Sequence, residues 1–435
     1  MFSKSQLVIL GIGFLVVFVF ILVLLGVIPG LRSDIGTKVN LVVWGVRDSS
    51  ENFASGIEEF KTLYPTVSIS YEKKDPATYE TDLLNALALG AGPDIIMIEN
   101  TWLPRYINKL SPAPIETIDI NSLRELFPLV VEQDFTSSGN IFALPLFVDT
   151  LSLFYNKDLF DASNIISPPE NWDDFKDAVN KLKKVDNKGN IERAGVALGG
   201  SLKSVSRASD IVYLLMMQSG AKMVSNDFSR ATFSNSVENK NPGTSALEFY
   251  TSFANPKSSA YSWNDSFGTS LDSFAEGKTA MILGYSWMME EIKNRNPFLN
   301  FTIAKVPQLS SSEIPVNFSD YRGFAVLKQS LNKTEAWNFI SFITGTESAA
   351  RSFYLSTNHP PALRSLLPEC QNSETVSAFC RQTLSARSWP QVDKPKIDAI
   401  FSDAIKDILS GQLSVIESVK KAEDQVSLLI SESKK

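Results

Sequence analysis

The 435-residue chain is 44% apolar, 20% charged and 11% aromatic, a globular composition with length for two or three domains. Acids outnumber bases 48 to 41; setting aside Lys4 and Arg32, residues 34–435 carry a net charge of −9 and no Lys/Arg run longer than two, which argues against a nucleic-acid surface. Two cysteines and a single histidine argue equally against a zinc site, and no metal or cofactor is expected.

The first element in chain order is Leu7–Ile28, 22 residues without a charge. At about 1.5 Å per residue it matches a hydrocarbon core roughly 30 Å thick. A secretory signal has a shorter apolar region and a small-x-small cleavage site. Here Pro29-Gly30-Leu31-Arg32 follows, and no cysteine is near for lipid attachment. The reading is an uncleaved single-pass transmembrane anchor, with a short cytoplasmic stretch at 1–6 and a tether at 29–38; a cleaved signal is the other option. Lys4 on one side against Arg32 and Lys38 on the other barely decides orientation.

From Val39 the pattern alternates. "VNLVVW" is a β-branched strand, and Glu51–Tyr64 places Phe53, Ile57, Phe60 and Tyr64 on one helical stripe that Pro65 stops. "TVSISYE" alternates as a strand, "DPATYETDLLNALALG" is helical to its glycine, and "DIIMI" is a buried strand. This β-α-β-α-β order predicts a parallel, helix-covered sheet with its strand C-termini along one edge. Ligands of open α/β sheets sit beyond that edge. Trp44, Glu99 and Asn100 leave strands there, followed by Arg47, Asp48 and Trp102.

Further along, Ile141–Phe160 is a long extended apolar run with Asp149 in its middle. "PPENWDDFKDAVNKLKK" is a helix with Asn171 as N-cap. Asp265–Lys293 reads as helix, glycine turn, buried strand, loop and helix. "FTIAKVP" is a strand, and "YRGFAVL" is a strand followed by two helices. Two C-terminal helices carry the stripes Ile397, Ile400, Phe401, Ile405, Ile408 and Leu413, Ile416, Val419, Val426. Cys370 and Cys380 form a disulfide across a bend or stay as two buried thiols. His359, in the proline-bounded loop "NHPPALR", has no visible partner and reads as a surface or packed histidine.

The segments "LALGAGPDIIMIE", "LPLFVDTLSLFYNKDLF", "PPENWDDF", "FAEGKTAMILGYSWM" and "GFAVLKQSLNKTEAWNFISFI" resemble, in this order, the family 1 extracellular solute-binding proteins, the maltose-binding-like receptors of ABC importers. The likeness runs from about Val39 to Leu429. It implies a two-lobed α/β periplasmic-binding-protein-like fold of type II, each lobe a helix-covered, mainly parallel sheet. By analogy lobe one is 39–148 plus 301–350, and lobe two is 149–300 plus 351–435. It also implies a monomer on the extracytoplasmic side that closes by hinge bending on a small solute and delivers it to ABC permease subunits. The transmembrane helix departs from the family, whose members are usually cleaved or lipidated.

Stacking aromatics and planar polar groups recognise sugars, so an oligosaccharide is the expected ligand. The candidate ligand-binding residues are Trp44, Arg47, Glu99, Asn100, Trp102, Trp263, Tyr321, Arg322 and Trp389 at strand exits and loops. The resemblance adds Asp149 at the interlobe crossing and Tyr285 and Trp287 in the aromatic-bearing loop. Trp172 and Trp337 sit in helices as core. Two alternatives stay open: a ligand sensor using the same cleft, and a glycan-acting enzyme, for which Glu99 and Asp149 would be the carboxylate pair.

Overall fold

The computed structural model describes residues 38–312 and 314–433. The Leu7–Ile28 span lies outside the described residues, and among these no helix is long and apolar enough to cross a membrane.

The first sheet grows from β1 (Val39–Val46), which pairs in parallel with β2 (Val67–Lys74) on one side and β3 (Ile95–Glu99) on the other. Between them, α1 (Ser50–Leu63) and α2 (Tyr79–Ala88) make the crossovers. The start of α1 is held by Asn52, whose Oδ1 accepts the Ser49 N–H at 2.9 Å. Its buried face is Phe53, Gly56 and Phe60. Each phenylalanine so buried contributes about 1.5–3 kcal/mol relative to exposure.

The second sheet is built on β4 (Ser152–Asn156), which begins just past Asp149. The helix α3 (Trp172–Leu182) packs Trp172, Phe175, Val179 and Leu182 into the second core, and Asn171 Oδ1 caps it by accepting the Asp173 and Asp174 N–H groups. The nearly all-buried α4 (Ala208–Gln218) follows. β5 (Met281–Gly284) leads into α5 (Met288–Arg295), and β6 (Phe301–Lys305) completes the sheet in the order β5-β4-β6. The chain then returns to the first sheet as β7 (Arg322–Leu327), antiparallel to β3, and continues into α6 (Lys333–Gly345) and α7 (Glu347–Thr357). The C-terminal pair is α8 (Lys394–Ser410) and α9 (Val415–Ser433).

Two separate cores result. One joins residues from Leu41 to Val148 with Tyr321–Leu366. The other runs from Leu151 to Phe318 and takes in Cys370, Cys380 and the C-terminal helices. The lobes are joined by paired crossing segments: Val148 N–H donates to Pro360 O at 3.0 Å, and Leu151 N–H to Phe318 O at 2.9 Å. Asp320 N–H donates to Asp149 O at 3.1 Å.

Several expectations are corrected. The second sheet is antiparallel along β5-β4-β6. β4 enters from the hinge and points away from it, whereas β5 and β6 end beside Ser152, at the hinge end. The lobe boundaries move for the same reason: β6 pairs with β4 and so belongs to lobe two, while Phe353 of α7 and Ala362–Leu366 pack in the core of lobe one. The stripe of α9 is Val419, Ala422, Val426 and Ile430; Ile416 is exposed. Cys370 and Cys380, whose alternatives were open, are disulfide-bonded.

Candidate functional site

The strand ends of both lobes meet at a cleft of about 740 Å³. Lobe one supplies Arg47, Asp48, Asn52, Lys73 and His359; lobe two supplies Ser286, Trp287, Glu290 and Lys293. The lobe-one wall is shaped by an unusual turn. Asp48 N–H donates to Val46 O at 2.8 Å, which puts Arg47 at φ 67°, a strained conformation for a residue with a Cβ. Gly45 makes room for what holds this turn. A Cβ there would lie 2.1 Å from the Tyr71 hydroxyl, which donates to Asp48 O at 3.1 Å.

Across the gap, β5 delivers Trp287, half-buried, with its ring facing the cleft; the Arg47 guanidinium lies 4.7 Å from the ring centroid. Loss of water, followed by the neighbouring Arg322 cation, holds the Arg47 pKa below the usual arginine value. Arg322 faces Glu99 across the β3–β7 register and pairs with it at 3.0 Å.

Behind Ser286 lies Asp149, 1% exposed. Its Oδ2 accepts the Ser286 N–H and hydroxyl at 2.8 and 2.7 Å, and its Oδ1 accepts the Thr150 N–H at 2.9 Å. Burial pushes this carboxyl up to about 7, even though the Ser286 hydroxyl and His359 favour the anion. Asp134, buried beneath Asn100, Tyr321 and Ser388, is pushed up to about 6 by burial as well. An acid whose folded pKa exceeds its unfolded value of about 4 keeps a proton that the unfolded chain releases. Its stabilising share is complete below about pH 4 and is lost as pH rises through the folded pKa. We therefore expect the melting temperature to fall between about pH 4 and 7, with Asp149→Asn flattening the upper part of that fall. Melting curves across this range check it, and an unchanged slope in the variant would exclude Asp149 as the source.

Of the residues expected at the cleft, Arg47 and Trp287 line it, and Asp149 sits one hydrogen bond behind its wall. Glu99 and Arg322 are engaged with one another, and Asn100 borders a second, smaller cavity of about 320 Å³ between the lobes. Trp44 is half-buried under Lys74, whose Nζ lies 3.8 Å from its ring, and is not among the cleft residues.

Five expectations are corrected, because each side chain found a partner in a core. Trp102 stacks on Tyr106 at 5.0 Å and is 8% exposed. Trp263 is fully buried and donates to Ser204 Oγ. Tyr285 donates to Asp210 Oδ2 at 3.0 Å, and Tyr321 to Asp134 Oδ2 at 2.8 Å. Trp389 packs edge-on against Tyr213. The sequence reading also missed His359, which lines the cleft within 3.4 Å of Asp48 and 3.2 Å of Ser286. Its only signal was a lone histidine just past a helix end; Asp48 is too distant in the chain to suggest a pairing.

The sequence profile described as bacterial extracellular solute-binding protein matches residues 56–378. A maltotriose-binding protein of Pyrococcus abyssi is 22% identical over 89% of this chain and 81% of its own length. A galactooligosaccharide-binding protein of Bacillus subtilis is 22% identical over 88% and 87%. Among solved structures, the cyclic alpha-maltosyl-1,6-maltose binding protein of Arthrobacter globiformis superposes with a TM-score of 0.76 at 20% identity, covering 91% of this chain and 99% of that one. The sugar-binding protein MalE of Xanthomonas citri gives 0.74 at 20% identity, over 91% and 98%. These structures share the two-lobed periplasmic-binding-protein-like α/β fold, and with a profile spanning most of its length the chain belongs to the bacterial extracellular solute-binding protein family.

Proposed function

We propose that this protein captures an oligosaccharide in the interlobe cleft and hands it to the permease of an ABC importer, without chemistry on the ligand. The observation that carries this reading is the cleft itself: an indole face, Trp287, on one wall and planar polar side chains, Arg47 and Asn52, on the other. An indole stacks on the apolar face of a pyranose ring, while guanidinium and amide groups meet its hydroxyls. The names of the relatives, which bind maltotriose and galactooligosaccharides, support the ligand class. The reading places the body on the extracytoplasmic side as a monomer, anchored by Leu7–Ile28.

A thermal-shift screen of malto- and galacto-oligosaccharides, amino acids, peptides and polyamines tests the proposal. At a hundredfold excess over the dissociation constant, a ligand adds about 2.7 kcal/mol by mass action, a rise of several degrees. A hit confined to the non-sugar sets, or turnover of the bound sugar, would sink the reading. Trp287→Ala is expected to weaken sugar binding by about 2 kcal/mol or more, roughly 30-fold. Because its ring is partly open to the cleft, the melting temperature without ligand should move little. Calorimetric titration beside melting curves separates the two effects.

A further inference from the structure

Asp48, His359, Ser286 and Asp149 form a continuous polar line from one wall of the cleft to the other. His359 follows the left-handed residue Asn358 (φ 56°) that ends α7. Its ring stacks on Phe147 at 4.5 Å and belongs to the lobe-one wall. Nε2 lies 3.4 Å from Asp48 Oδ1, and Nδ1 lies 3.2 Å from Ser286 Oγ in lobe two. Ser286 Oγ in turn lies 2.7 Å from Oδ2 of Asp149, in the crossing segment.

With both ring nitrogens protonated, Nε2–H faces Asp48, Nδ1–H donates to Ser286 Oγ, and the Ser286 hydroxyl donates to the Asp149 carboxylate. With a neutral ring and a protonated Asp149, the middle of the line reverses. The Asp149 O–H then donates to Ser286 Oγ, which donates to Nδ1, while Nε2–H still meets Asp48. Both arrangements satisfy every atom and hold the same one extra proton. When that proton is lost, the single Ser286 hydrogen must serve either Nδ1, leaving Asp149 with only the Ser286 and Thr150 N–H groups, or Asp149, leaving Nδ1 without a donor. Either way, one hydrogen bond of the line between the walls is lost.

We propose that His359 is a positioning residue for ligand capture, tying the two cleft walls together through Ser286 by a proton it shares with Asp149. Closure joins lobe two to His359, so the closed cleft holds the shared proton more tightly than the open one. By linkage, affinity for the ligand falls as pH rises and the proton is lost. The charged groups facing the ring are Asp48 from the β1–α1 loop and Asp149 from the crossing segment. Phe147 and, from α7, Phe353 present only aromatic faces. Arg47, Lys73, Glu290, Glu291 and Lys293 are the other charged residues lining the same cleft among the described residues.

The claim about capture rests on the reading of the cleft as a sugar site, whereas the proton sharing can be measured without ligand. His359 is the only histidine in the chain, so nitrogen-15 resonances of its ring in the full-length protein in detergent need no assignment. Its titration midpoint is expected to move by about 0.5 pH unit or more in Ser286→Ala and in Asp149→Asn, and to return in Ser286→Thr. A midpoint that stays put in the first two variants overturns the proposal. With maltotriose as probe, the dissociation constant should rise about three- to tenfold from about pH 6 to 8.5 and stay flat in His359→Gln. A pH-independent affinity in the unaltered protein would overturn the link to capture. If neither maltotriose nor any other sugar of the screen binds at any pH, the sugar reading is at fault, and the resonance titration still decides the proton sharing.

Discussion

Trp263→Ala is expected to destabilise lobe two by about 3–5 kcal/mol, the range for truncating a large buried aromatic. Trp263 has no exposed surface and stacks on Phe267 with centroids 5.3 Å apart. Its Nε1 donates to Ser204 Oγ at 3.3 Å. Its surroundings are tight as well: a Cβ on Gly200 would lie 3.1 Å from that nitrogen. Truncation therefore leaves both a cavity and a buried hydroxyl short of a donor. Urea unfolding of the variant beside the parent measures the loss. If unfolding were unchanged while sugar binding vanished, Trp263 would return to the cleft, where its polar loop first suggested it.

A loss of similar size, about 3–5 kcal/mol, is expected for Asp210→Ala, because it strips buried cations of their counter-charge. Asp210 is 1% exposed and receives Arg207 Nη2 at 2.5 Å, Lys394 Nζ at 2.9 Å and the Tyr285 hydroxyl at 3.0 Å. Burial opposes its ionisation, yet the two cations outweigh burial and hold its pKa below the ordinary aspartate value. Arg207 also reaches Asp320 in the crossing segment, and Lys394 reaches Asp398 at 2.9 Å. The network thus joins the core of lobe two to the hinge. Asp210→Asn keeps an acceptor for Tyr285 but loses the charge, so it should fall between the parent and the alanine variant. A loss below about 1 kcal/mol in Asp210→Ala, read by urea unfolding, would mean that Asp320 and Asp398 suffice for both cations.

The elements were legible wherever their cause is local. The stripe Phe53, Ile57, Phe60 predicts α1 because residues three and four apart share a helical face. The apolar run Ile95–Ile98 marks β3 as a strand buried on both faces. Asn171 caps α3 through hydrogen bonds two and three residues away, a span that any sequence reading can see. The direction of the strands in lobe two was not legible, because it depends on where β4 enters from the hinge.

The candidate site was legible only in part. Glu99 and Arg322 were both singled out, but their pairing comes from a β3–β7 register between residues 223 apart. Tyr285 and Trp287 leave the same strand two residues apart and carry the same aromatic signal. One is buried because Asp210 awaits its hydroxyl; the other lines the cleft beside Arg47.

By itself, the sequence determined the α/β elements and the ordered motifs that mark the family. Those depend on periodicity, capping and composition, which act over a few residues. Only the tertiary structure decided which exit residues face the cleft, where the lobes divide, and that Asp48, Ser286 and His359 meet. Those outcomes depend on contacts between segments far apart in the chain, and a polar or aromatic side chain goes to whichever partner the packed fold brings within reach.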